Sequence, residues 1–178
     1  MKKWLMIILL AFIGCQSLHQ PSVQVLPSHI KKIAVKPFEN RTNVFGLEEL
    51  LRLEINNELL KDGRFTITND INSADGYISG EILYYILQPI VYGENFEPIQ
   101  YKLRLIINLY FVDKVNNLTL WEEPNLEETL FFSAATLPGG LTEEEAKKTV
   151  VYNMAKKVYL RTIEGFGSVS GRSYKKVP

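Results

Sequence analysis

The chain has 178 residues, 46% hydrophobic and 22% charged, and its twenty basic side chains are cancelled by twenty acidic ones. That length and composition suit one globular domain with a real core, and they exclude a disordered chain or a polytopic membrane protein. Zero net charge offers no basic field for nucleic acid and no acidic field for basic partners.

The first residues form a unit of their own. Lys2 and Lys3 make a positive start, and Trp4 to Ile13 is an apolar run of about ten residues, too short to span a bilayer. It ends at Ile13-Gly14-Cys15, which places the chain's single cysteine at a cleavage point behind a small residue. This stretch resembles the bacterial lipoprotein signal. Residues 1–14 would be the signal peptide, and Cys15 would become the first mature residue and carry the lipid, palmitate included. Phe12 stands where that signal usually has Leu. Gln16 follows the cysteine in place of Asp, which by similarity to enterobacterial lipoproteins implies sorting to the outer membrane. An acylated Cys15 leaves no thiol, so packing alone must hold the fold. Residues 15–29 read as a lipidated tether, rich in Ser, Gln and Pro. His19 and His29, the only histidines, fall in or beside it and read as solvated linker residues.

The domain is expected over residues 30–165. A short apolar strand, Ile33-Ala34-Val35, stops at Pro37 and opens into Phe38-Glu39-Asn40-Arg41. A helix follows from Leu47 to Lys61, closed by Asp62-Gly63, and a second strand runs from Phe65 to Thr68. Together they make a βαβ-like unit with its helix on one face of a sheet. Leu47, Leu51, Ile55 and Leu59 draw one apolar stripe on that helix, and Leu50, Leu53 and Leu60 draw a second. A broad core contact accounts for both; a partner-facing surface is the alternative reading of the second.

The clearest signal is period-two alternation. From Tyr77 to Leu87, Ile78, Ile82, Tyr84 and Ile86 share one face. From Tyr101 to Val112, Tyr101, Leu103, Leu105, Ile107, Leu109 and Phe111 share one face, and Lys102, Arg104, Ile106, Asn108, Tyr110 and Val112 the other. Pro89 and Pro98 bracket the connection around Gly93, which predicts an antiparallel hairpin with a sizeable loop. Leu118 to Trp121 is expected as a short edge strand and Glu127 to Ala134 as a further extended stretch. After Leu137-Pro138-Gly139-Gly140, Thr142 and Glu145 form a capping box for a helix running to about Ile163, with Ala146, Val150, Met154 and Val158 inward. Residues 166–178 read as a polar tail. The fold class is therefore α+β: a two-layer α/β sandwich, two helices on a mixed four-stranded sheet with a long central antiparallel hairpin.

Chemistry is scarce. With both histidines in the tether and Cys15 committed to lipid, no nucleophile–base pair can be assembled. Adjacent acids such as Glu122-Glu123 point apart on a strand, so they make no glycosidase pair. Gly139-Gly140 lacks a phosphate-loop pattern, no Cys/His set has zinc spacing, and no cofactor is implied. The chain reads as a binding protein and not an enzyme.

Ile33-Ala34-Val35-x-Pro37-Phe38-x-Asn40, Gly46-Leu47-Glu48, Asp62-Gly63-Arg64-Phe65, Ala74-Asp75, Gly80-Glu81-Ile82 and Leu120-Trp121 follow the signal in one order. This set resembles the lipopolysaccharide-assembly lipoprotein family (LptE-type) over nearly the whole mature chain. The first piece alone also looks like curli-secretion lipoproteins, penicillin-binding-protein activators and the amino-terminal domain of the Tol periplasmic protein. An activator of a cell-wall synthase or a secretion component therefore stays open as an alternative. The LptE-type resemblance implies an outer-membrane protein, lipid-anchored on the periplasmic side. It would plug a β-barrel translocon subunit, help that barrel assemble and assist lipopolysaccharide transport to the outer leaflet, with no nucleic acid among its partners. Lys102 and Arg104, projecting from the mixed strand face, are the candidate contacts to lipopolysaccharide phosphates.

Overall fold

The computed structural model describes residues 26–163 and the backbone of residues 175–176; Cys15, His19 and most of the tail lie outside the described residues. In chain order the elements are β1 (Lys32–Val35), β2 (Glu39–Asn40), α1 (Leu47–Asp62), β3 (Thr66–Thr68), β4 (Gly76–Tyr92), β5 (Pro98–Asp113), β6 (Leu118–Ser133), α2 (Glu143–Ile163) and β7 (Lys175–Lys176). The strands form one mixed sheet in the order β3-β1-β4-β5-β6-β7, with β2 added beside β4. The two-layer α+β sandwich holds, with seven strands in place of the four expected.

The βαβ unit forms as the sequence predicts, with β1 parallel to β3 through Ile33↔Ile67 and parallel to β4 through Ala34↔Tyr77. Helix α1 begins after Gly46 and ends before Gly63, both left-handed (φ 76° and 73°), a backbone region that glycine enters without strain. Its stripe Leu47, Leu51, Ile55 and Leu59 is buried against the sheet. The second stripe divides: Leu50 packs on the core, whereas Leu53 and Leu60 are 50% and 60% exposed. One broad core contact is therefore not what α1 makes. Helix α2 starts with the expected capping box, Glu145 N–H donating to Thr142 Oγ1 and Thr142 N–H to Glu145 Oε2 at 2.8 Å.

Three strand readings are corrected. First, β4 does not keep one phase. Ile82 pairs with Ile107 and Tyr84 with Ile106, so Leu83 is an extra residue; above it Tyr85 and Leu87 turn toward the core and Tyr84 is left exposed. Second, the hairpin connection is short. Strand β4 runs through Pro89 to Tyr92 and only Gly93–Glu97 turns the chain. Third, the two stretches Leu118–Trp121 and Glu127–Ala134 are one strand, β6, bent where Pro124 and Asn125 (φ 54°) together face Asn108. The bulge accommodates the proline, and Asn108 Oδ1 accepts the Asn125 N–H at 3.0 Å.

The strands β4, β5 and β6 have 17, 16 and 16 residues, which at about 3.3 Å per residue makes a sheet about 50 Å long. Helix α2 runs back along it. Its first turn reaches Tyr85 through Glu143 (3.4 Å), and its last turns reach Glu128 through Lys157 (2.6 Å) and Glu123 through Arg161 (3.3 Å). Leu87, Leu103, Leu130 and Phe132 still pack on the core beyond Tyr85, and only the hairpin end around Ile90, Tyr92 and Phe96 projects past it as an arm.

Candidate functional site

The ordered sequence pieces that carry the resemblance build the frame of the domain. The Phe38 ring lies over Gly80, where an added Cβ would sit 2.6 Å from it and 2.2 Å from the Asn108 carbonyl; only glycine allows that approach. Asn40 Nδ2 donates to the Val44 carbonyl (2.8 Å) and to Glu48 Oε2 (2.7 Å), folding the loop that starts α1. Asp62 accepts from Arg64 Nε and NH2 (2.6 and 2.7 Å) and from the Tyr159 hydroxyl (2.6 Å), which ties the end of α1 to α2. The Arg64 guanidinium holds the Asp62 carboxyl down at about 2 against the cost of burial, and Tyr159 adds to it. Asp75 Oδ2 takes the amides of Lys31 and Lys32 (2.9 and 2.8 Å), and these donors lower its pKa.

Among the described residues the other sheet face has no helix on it, and the site residues Lys102 and Arg104 read from the sequence lie there. On β5, Lys102 stands between Gln88 and Phe131, Arg104 between Ile86 and Thr129, and Ile106 between Tyr84 and Glu127. Lys102 Nζ lies 5.7 Å from the Phe131 ring centre. Arg104 NH1 is 3.9 Å from Glu127 Oε1, and its buried Nε has no hydrogen-bond partner among the described residues. The upper half of the face is thus two cations among Tyr84, Ile86, Ile106 and Phe131, with Tyr84 and Phe131 56% and 63% exposed. Its lower half is polar: Arg41 pairs with Glu81 (2.9 Å), and Asn108 Nδ2 donates to Glu81 (3.3 Å). Burial, then Glu81 and Glu122, push the Tyr110 phenol up.

At the top of the arm, a shallow cleft of about 370 Å³ lies on the helix side between Leu87, Tyr101, Phe132 and Leu141. Exposed Ile90, Tyr92 and Phe96 stand near it on the hairpin. This arm is invisible to a reading that ends the strand at Leu87; the β-favouring run Ile90-Val91-Tyr92 past Pro89 is the available signal.

His29 is where the sequence reading errs. Leu26 and Ile30 are buried, and His29 Nε2 lies 2.8 Å from Asp113 Oδ2, 84 residues away in sequence. It is solvent-exposed, as expected, but it is paired with the domain and not part of a free linker.

No curated protein matches the chain. Among solved structures it is similar to the hypothetical protein CT253 from Chlamydia trachomatis, at 13% identity and a TM-score of 0.54, over 79% of this chain and 99% of that one. Lipoprotein GNA1162 from Neisseria meningitidis (10% identity, 72% and 98% of the chains, TM-score 0.45) and rare lipoprotein B from Shewanella oneidensis (12%, 72% and 91%, 0.40) also match. The first of these likenesses bears on the fold alone. The sequence model of the lipopolysaccharide-assembly family, LptE, matches residues 30–162, from buried Ile30 to the last turn of α2, and the chain belongs to that family.

Proposed function

We propose that the protein is a non-enzymatic lipoprotein, anchored through Cys15 on the periplasmic side of the outer membrane. It docks in a β-barrel partner and assists both the barrel's assembly and the passage of lipopolysaccharide to the outer leaflet. The observation that carries this reading is the family match across the whole described domain. The helix-free face supports it: large half-exposed apolar side chains beside two cations suit an amphiphile that joins a phosphorylated headgroup to acyl chains. Lys102 and Arg104 are two positions apart on one strand face, about 7 Å, a spacing at which both can reach phosphates of one headgroup. The Arg104 side chain has donor capacity left, since Glu127 engages it only at 3.9 Å.

The test is binding of purified lipopolysaccharide to the full chain in mild detergent. The double variant Lys102→Glu/Arg104→Glu should bind at least tenfold more weakly, since each lost charge-assisted contact is worth about 1.5–3 kcal/mol. Unchanged affinity in a folded double variant contradicts the contact assigned to these residues.

A further inference from the structure

The turn at the hairpin end is held by three hydrogen bonds. The Gly93 N–H donates to the Glu97 carbonyl (2.9 Å), the Phe96 N–H to the Gly93 carbonyl (3.1 Å), and the Asn95 N–H to Glu97 Oε2 (3.0 Å). They fix Phe96 at φ 62°, a left-handed conformation that a bulky side chain seldom enters, with 86% of the residue exposed. Tyr92 and Ile90 on the same hairpin are 54% and 44% exposed. Phe96 thus combines backbone strain with exposure at a rigid point and gains almost no burial within its own chain.

We propose that Phe96 anchors the hairpin end in a protein socket, apolar within and basic at its rim, on the β-barrel partner. The identity of that partner rests on the function proposed above; the chemistry of the socket does not. Charge selects a protein over a lipid surface as the occupant. Residues 84–101 and 134–146, which build the hairpin end and the cleft beside it, contain Glu94, Glu97, Glu143, Glu144 and Glu145 and no Lys or Arg. Lys147 engages Glu144 and the capping box engages Glu145, while Glu94 and Glu97 stay exposed on either side of Phe96. These carboxylates are repelled by anionic headgroups, whereas guanidinium or ammonium groups at a socket rim pair with them. Length argues the same way. The lead-in meets the domain at Asp113, and the tip lies at the far end of β5, about 50 Å away. Cys15 precedes Leu26 by eleven residues, at most about 40 Å of extended chain. An upright domain anchored at Cys15 therefore cannot rest its tip on the leaflet that holds its lipid, but it can raise the tip into the lumen of a barrel. Phe96 and Tyr92 bury at most about 250 Å² each, against about 800 Å² per partner in a stable interface, so the tip is a hot spot within a larger contact.

The rate at which the co-purified barrel leaves the full chain in mild detergent tests this. Phe96→Ala should release the barrel about tenfold faster or more, and Phe96→Trp should hold it. Glu94→Lys should also quicken release, and added salt should narrow its difference from the natural chain. Phe45→Ala removes an equally bare ring, 96% exposed in the loop before α1, and should change nothing. In native membranes, photoreactive benzoylphenylalanine at position 96 should cross-link to that same barrel. Release at the natural rate from a folded Phe96→Ala, an equal effect from Phe45→Ala, or adducts to lipid alone overturns the anchor while the barrel reading stands. A natural chain that brings no barrel with it overturns both.

Discussion

Placing Lys at two neighbouring positions of β5 tests which sheet face is the core. Leu105 is fully buried, flanked by Tyr85 and Glu128, whereas Ile106 is half-buried on the helix-free face between Tyr84 and Glu127. Leu105→Lys loses about 2–3 kcal/mol of apolar burial. It also forces an ammonium toward a dry interior, at an effective cost of several kcal/mol more. Against a stability of about 5–15 kcal/mol typical of a domain, that leaves the variant unfolded or close to it. Ile106→Lys gains Glu127 as a cross-strand partner and should change stability by no more than about 1 kcal/mol. Urea titrations of the full chains followed by circular dichroism read both. Equal midpoints for the two variants, or a more stable Leu105→Lys, would refute the assignment of faces and with it the helix-free face as the binding surface.

Three further outcomes are expected. Asp62 has its pKa lowered in the folded state, so its contribution is complete above the usual carboxylate range and is lost as pH falls through about 2. That contribution is about 2 kcal/mol, and Asp62→Asn should flatten this part of the stability profile between pH 4 and pH 2; an unchanged slope contradicts the linkage. Thr142→Ala removes the side-chain half of the α2 capping box and should cost about 1 kcal/mol in the same urea titration, against no loss if the cap is idle. Cys15→Ser should leave the precursor unprocessed and free of label from radioactive palmitate, and normal maturation of that variant would contradict the anchor.

Where local chemistry sets the structure, the residues announced it. The six-member alternation from Tyr101 to Phe111 lies between two long neighbours and keeps one phase, so its core face was readable. The glycines flanking α1 and the Thr142–Glu145 box mark helix ends within a few residues. What escaped depends on distant partners. The Leu83 bulge reverses the faces of β4 because the Tyr85 and Leu87 side chains find core on the helix side, and an alternating sequence does not carry that choice. Pro124 reads as a strand end, yet β5 holds β6 together across it through Asn108. His29 looks like linker because Asp113 is 84 residues away. In the site, the strand phase placed Lys102 and Arg104 together on the helix-free face, but the exposed hairpin end depended on β4 continuing through Pro89 to Tyr92 and was missed.

The central claim is that this small lipoprotein works inside a larger barrel. Purification of the native protein from outer membranes in mild detergent tests it most directly. A large β-barrel protein should accompany it in stoichiometric amount, and that barrel should be depleted from the membrane when the lipoprotein is withdrawn. Recovery of the lipoprotein alone, or in complex with an inner-membrane cell-wall synthase, would contradict the account.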